Sequence, residues 1–239
     1  MSLPPRRRRL YLMRHGAVRY FDPVSGAPLP AETVPLTEEG QAQARAAGRL
    51  FAAQGVRFDR VICSGLPRTR QTAEGVLAEL ADLPGPRPAI ETCAALQEIH
   101  GGRLRDIAPA EVVAAFTALQ RGPLTEASRF LQGESLGELL DRALPAAQAL
   151  LAEPWDCALW VLHGVVNAAL LSHWVSGGQR VVLPGWQQNP AAINVIDLGD
   201  DGSALLRGVN LNPSDWLQPA QRHSTMELLL AEFLQQRDG

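Results

Sequence analysis

The sequence predicts a three-layer α/β/α fold on a mostly parallel sheet, carrying a helical insertion between residues 101 and 134. Three observations support this. Short apolar runs at 10–13, 60–63 and 158–162 are strand-sized and continuous, as strands covered on both faces are. Longer helical patterns separate them, which is the alternation that parallel strands need. Each run stops abruptly, at Arg14-His15-Gly16, at Ser64-Gly65 and at His163-Gly164. In open α/β sheets ligands bind outside the carboxyl ends of the strands, so the three stops point to one edge.

In order along the chain, Leu10-Tyr11-Leu12-Met13 forms the first strand, and the proline-rich stretch 22–35 is an irregular loop. Thr37 is placed as an N-cap, with Glu38 and Glu39 in the first turn where carboxylates complement the helix dipole. That helix runs to about Gln54, with Ala46, Leu50 and Phe51 on one side, and Gly55 ends it. After the second strand, Pro67 suits the first turn of a helix reaching Leu80. Residues 89–92 are extended. From 101 to 134 the pattern is alanine-rich helical pieces split by Gly122-Pro123, followed by an amphipathic helix over 135–152. A helix to about Ser176 follows the strand at 158–162. Residues 192–209 alternate around an Asp-Gly turn as a β-hairpin. A helix over 224–236 closes the pattern.

With 239 residues, the chain fits one α/β domain spanning 1–239 with that insertion as a cap. Apolar residues at 46% and charged residues at 20% describe an ordinary globular composition. A net charge of −3 gives no reason to expect nucleic acid as a partner. The run Arg6-Arg7-Arg8-Arg9 reads as a solvated, mobile basic terminus. Cys63, Cys93 and Cys157 are odd in number and lack a Cys-x-x-Cys pair, so no disulfide framework or zinc knuckle is expected. With no signal-like or membrane-spanning run, the expected location is cytoplasmic, with no membrane partner. The sequence leaves a homodimer open.

Arg14, His15, Arg68 and His163 together suit a dianionic tetrahedral oxyanion. Each guanidinium is a permanently charged fork of donors, and phosphoryl transfer asks mainly for alignment and neutralisation of oxygens. A lone histidine is more often structural than catalytic, and an arginine on a helix surface more often makes weak exposed ion pairs. Strand-end placement of all four raises the functional reading above those alternatives. His-Glu-x-x-His, Gly-x-Ser-x-Gly and P-loop elements are absent from the sequence, and no set of metal ligands assembles, so neither metal nor cofactor is expected.

At these separated places the sequence resembles the histidine phosphatase superfamily, in its phosphoglycerate mutase-like branch. Leu12-Met13-Arg14-His15-Gly16 is similar to the nucleophile motif. Leu36-Thr37-Glu38-Glu39-Gly40 resembles its helix start, and Ser64-Gly65-Leu66-Pro67-Arg68-Thr69-Arg70-Gln71-Thr72-Ala73 the segment with the second phosphate arginine. Leu96-Gln97-Glu98, then Gly101-Gly102, resembles the proton-donor segment, and Val161-Leu162-His163-Gly164 the second histidine motif. The resemblance implies a phosphatase acting on a small phosphorylated substrate. His15 would be the nucleophile, Glu98 the proton donor, and Arg14, Arg68 and His163 the phosphate ligands, with Ser64 and Phe21 expected to contact substrate.

Family members often carry glutamate, threonine and asparagine where this chain has Ala17, Val18 and Phe21, which weighs against mutase activity. A phosphoglycerate-type phosphomutase and a non-catalytic phosphate-binding module are the alternative readings. His100 and Glu91 are alternative proton donors, and His173 and His223 are read as structural surface residues. Tyr20, Phe21, Arg103, Arg105 and Phe130 are expected at the entrance.

Overall fold

The computed structural model describes residues 6–85, 87–120 and 122–237. The strands are β1 (Arg7–Arg14), β2 (Arg60–Cys63), β3 (Ile90–Thr92), β4 (Cys157–Leu162), β5 (Ile193–Gly199) and β6 (Ala204–Leu211). The helices are α1 (Glu38–Ala53), α2 (Pro67–Ala78), α3 (Val112–Thr117), α4 (Leu136–Ala152), α5 (Gly164–Val175) and α6 (Thr225–Arg237). Sheet order is β3-β2-β4-β1-β5-β6. The first four of these are parallel. The hairpin then adds an antiparallel edge through β5 on β1 and β6 on β5, so the sheet is mixed. A tight turn can join only antiparallel strands, whereas the parallel ones need helical crossovers.

Alternate strand residues point to opposite faces, and this divides the core in two. Leu10, Leu12, Ile62, Trp160 and Leu162 pack against α4 and α5. Met13, Val61, Leu159 and Val161 pack against α1 and α2 through Ala47, Phe51, Ala73 and Val76. Each such large side chain, fully withdrawn from water, contributes roughly 1.5–3 kcal/mol. The expected layers are therefore present, and β1, β2 and β4 end side by side.

Thr37 caps α1, its hydroxyl accepting from Gly40 N at 3.1 Å. Ser135 and Glu138 form a reciprocal capping box at the start of α4. Two expectations change. Among its described residues the insertion contains one short α-helix, α3, and two 3-10 turns, one leading directly into α3; alanine-rich pieces this short do not hold a helix without a packed face. The arginine run is not a solvated tail from Arg7 onward, because it forms β1. Arg9 makes bonds of 2.7 and 2.9 Å to Asp197. Arg8 lies 4.5 Å over the Trp155 ring and donates to Leu151 O at 2.8 Å. Among the described residues no helix is long and apolar enough to cross a membrane.

Candidate active site

The loop after β1 is fixed from several directions. Gly16 N donates to Thr72 Oγ1 of α2 at 3.0 Å, and Ala17 N to Gln43 Oε1 of α1 at 2.9 Å. Ala17 O accepts from Thr37 N at 3.0 Å and from the Thr37 hydroxyl at 3.2 Å. The backbones touch so closely that a Cβ on Gly16 would lie 2.4 Å from Gly40 O, and one on Gly40 would lie 2.2 Å from Ala17 O. Both glycines are therefore required by contact between this loop and the start of α1.

His15 is 2% exposed, and its Nδ1 lies 2.7 Å from Gly16 O. A carbonyl only accepts, so Nδ1 carries the proton and Nε2 keeps its lone pair. Burial, then Arg14 and Arg68, hold this imidazole well below the ordinary histidine value, so it is neutral at neutral pH. His163 is fully buried, with ring centroids 5.3 Å from His15. Its basicity is likewise far below normal, through burial first and then His15, Arg68, Arg14 and Arg142.

Arg14 donates through Nη1 to Gln188 O and, at 2.8 Å, to Thr225 Oγ1 at the start of α6. Burial pulls this guanidinium below its usual value and Arg68 adds to that, with Tyr20 and Glu98 opposing. Arg68 donates through Nη1 to Ala31 O of the proline-rich loop, and its guanidinium carbon is 5.9 Å from the Tyr20 ring centre. The Nε atoms of Arg14 and Arg68 and Nδ1 of His163 are buried without a hydrogen-bond partner. Buried donors are normally satisfied, so three orphans from three separate segments mark a place for an acceptor.

Glu98 is half-buried at the N-terminus of α5. Its Oε1 accepts from Ile99 N at 3.1 Å, Val165 N at 3.2 Å and Val166 N at 3.1 Å, and its Oε2 accepts from Val165 N at 3.1 Å. The amides that open α5 are thus taken by this carboxylate. A Cβ on Gly164 would lie 3.6 Å from Glu98 Oε2 and 3.8 Å from Arg14 Nε, so acid and arginine meet across this glycine.

Ser64, expected to contact substrate, is fully buried and lies 2.8 Å from His163 Nε2 and 3.1 Å from Thr69 Oγ1. It supports the imidazole and does not line the adjoining cavity. Phe21 does line that cavity, as do Tyr20, Arg103, Arg105 and Phe130. The cavity has a volume of about 1290 Å³, and Arg14, Arg68, Glu98 and Gly164 form part of its wall. Phe21 is 3% exposed and packs near Phe233 of α6, which in turn stacks on Phe116 of α3 at 5.7 Å. His100 and His223 also line the cavity; Glu91 is instead paired to Arg60 at 2.7 Å. His173 sits apart, against Gln179 O.

The histidine phosphatase superfamily (branch 1) matches this chain over residues 10–211. The chain belongs to that superfamily. It is 31% identical over 178 residues to a Serratia proteamaculans protein named "Probable phosphoglycerate mutase GpmB", covering 68% of this chain and 73% of that one. A "2,3-bisphosphoglycerate-dependent phosphoglycerate mutase" from Methylobacterium is matched at 53% identity over 51 residues, 24% of its own length. Among solved structures, "Mycobacterial hydrolase 1" superposes with a TM-score of 0.67 at 21% identity, covering 87% of this chain and 100% of that one. The α-ribazole phosphatase of Shigella flexneri does so with a TM-score of 0.61 at 25% identity, covering 84% and 96%. The superfamily holds phosphatases and mutases, and the fold of this member is phosphoglycerate mutase-like.

Several supporting residues had no sequence signal. Arg142 of α4 donates to Ala95 O and Gln97 O at 2.8 Å and to Glu98 O at 3.0 Å, and pairs with Glu134 at 2.7 Å. It clamps the segment that carries Glu98. Gln188 and Thr225, which hold Arg14, come from loop and tail segments far along the chain.

Proposed function

We propose that this chain is a phosphatase that hydrolyses a phosphate monoester through a phosphohistidine at His15. The observation carrying this reading is the set of orphaned nitrogens, Arg14 Nε, Arg68 Nε and His163 Nδ1, gathered around a neutral imidazole whose Nδ1 proton is already committed. Three N–H donors fit the oxygens of a phosphoryl group, and the neutral ring supplies the lone pair.

In the first step His15 Nε2 attacks phosphorus, the P–N bond forms and the P–O bond to the alcohol breaks. Glu98 accepts the proton that a monoanionic ester brings into the site and passes it to the leaving oxygen. Water then attacks phosphorus, the P–N bond breaks, and Glu98 takes the proton that the water loses. Inorganic phosphate leaves. Arg14, Arg68 and His163 hold the equatorial oxygens in both steps, where preorganised donors act on developing charge. We assign the single Ser64 hydroxyl proton to the 2.8 Å contact with His163 Nε2, which leaves Nδ1–H for phosphate and leaves no proton in the 3.1 Å approach to Thr69, whose own hydroxyl donates to Leu66 O at 2.8 Å.

The test is turnover of p-nitrophenyl phosphate by wild type and His15→Ala, with trapping of an acid-labile phosphoenzyme. Wild type is expected to turn over and label, without loss of activity in EDTA, and His15→Ala to do neither. Turnover retained in His15→Ala refutes the nucleophile. The resemblance to a protein named as a mutase favours a second reading, in which phosphoglycerate takes the place of water. Interconversion of 2- and 3-phosphoglycerate faster than release of free phosphate would establish it.

A further inference from the structure

The cavity beside the phosphate cluster indicates what the rest of the substrate is, given the phosphatase reading above. At about 1290 Å³ it exceeds the range of roughly 300–1,000 Å³ usual for small-molecule sites. Three stretches outside the central layers build it: the loop around 20–32, the insertion, and the segment from 182 to 229. Phe21, Ile99, Phe116, Phe130, Trp186 and Met226 give its wall a mainly apolar character.

Many of its polar side chains already have partners within the protein. Gln188 exchanges bonds of 2.6 and 3.3 Å with Asn194, Gln120 donates to Ser224 at 2.6 Å, and Gln187 to Thr225 at 3.3 Å. Gln221 donates to His223 O at 2.8 Å, and His100 faces Glu134 at 3.3 Å. Among the described residues, the buried side-chain polar atoms of this wall that lack a partner are Arg14 Nε and Arg68 Nε. A site that selects a sugar or a hydroxy acid keeps buried donors and acceptors waiting for it, because those groups are costly to leave unpaired. Here the buried unpartnered groups are confined to the phosphate end, and the charged wall residues Glu32, Arg103 and Arg222 are exposed. Arg103 and Arg105, the cations expected at the entrance, are exposed, and Arg105 is 3.7 Å from Asp106.

We propose that the substrate is a phosphate monoester of a large, mainly apolar alcohol, with the phosphate in the arginine and histidine cluster and the alkyl or aryl body along this cavity. Affinity for the body then comes from apolar surface removed from water, which grows with each methylene added.

The experiment uses the full chain and measures kcat/KM by free-phosphate release for ethyl, butyl, hexyl and octyl phosphate, whose leaving-group basicities match, beside 3-phosphoglycerate and p-nitrophenyl phosphate. We expect a rise of about fourfold per methylene, with 3-phosphoglycerate near the ethyl ester. In Leu183→Asp, which puts a charge on the exposed part of the wall, the slope is expected to fall. A flat or falling series, or preference for 3-phosphoglycerate, overturns the apolar assignment while leaving the phosphatase reading standing. A rising series whose slope is the same in Leu183→Asp overturns the assignment to this cavity. No turnover of any ester, p-nitrophenyl phosphate included, removes the phosphatase reading and this inference with it.

Discussion

Acidification probes the two buried imidazoles directly. In the unfolded chain, His15 and His163 each take up a proton near pH 6.5. In the folded chain both are enclosed and held well below that value, by burial first and then by neighbouring cations. Below about pH 6.5 the unfolded state therefore binds more protons than the native state, and stability falls as pH falls. The slope is about 1.4 kcal/mol per pH unit for each histidine, or about 2.7 for the pair, and it persists until the depressed native values are reached. Urea unfolding of wild type and His163→Asn from about pH 7.5 down to about pH 5 reads this difference, because contributions from carboxylates common to both chains cancel. The two stability curves should run parallel above about pH 7 and then converge, the variant losing about 1.4 kcal/mol less per pH unit once the unfolded histidine is protonated. Curves that stay parallel throughout would show that His163 gains its proton as readily in the folded chain as in the unfolded one, refuting the buried neutral cluster. The same depression keeps His15 nucleophilic in mild acid, so the acid limb of kcat/KM attributable to it should lie well below pH 6.5.

Three substitutions test the supports around the site. Arg142→Met removes the donors to Ala95, Gln97 and Glu98 carbonyls and the partner of Glu134, so it should cost about 1.5–3 kcal/mol in urea and lower kcat more than it raises KM; an unchanged kcat would separate Arg142 from Glu98 function. Gly40→Ala drives a methyl to 2.2 Å from Ala17 O, and the rigid backbone on both sides predicts about 1–3 kcal/mol of destabilisation with a loss of turnover, read by thermal unfolding and initial rates. Ser64→Ala leaves His163 Nε2 without its partner; inhibition by inorganic phosphate should weaken and stability should drop by about 1–3 kcal/mol, and phosphate inhibition equal to wild type would contradict the tautomer assignment.

The residues of the cluster were legible because their signal is local. A buried strand is an unbroken apolar run, and Arg14-His15, Ser64 and His163 stand where those runs stop. Helix starts were equally readable at Thr37 and Ser135, where the capping side chain lies within three residues of the amide it serves. The insertion was less legible. Its alanine content favours helix, yet among its described residues only Val112–Thr117 forms an α-helix, because Ile107, Val112 and Phe116 find their packing surface on α6, more than a hundred residues away.

From the sequence alone came the layered α/β architecture and the four side chains suited to a phosphoryl group, since strand ends, caps and turns are written in neighbouring residues. Tertiary structure decided what those side chains rest on: Glu98 seated on the α5 amides, Ser64 behind His163, Arg142 gripping the Glu98 segment, and Arg14 tied to Thr225 across 211 positions of chain. It also set the apolar cavity, whose outer wall comes from three stretches beyond the central layers. Contacts between residues so far apart leave no period or spacing in the chain, and only packing brings them together.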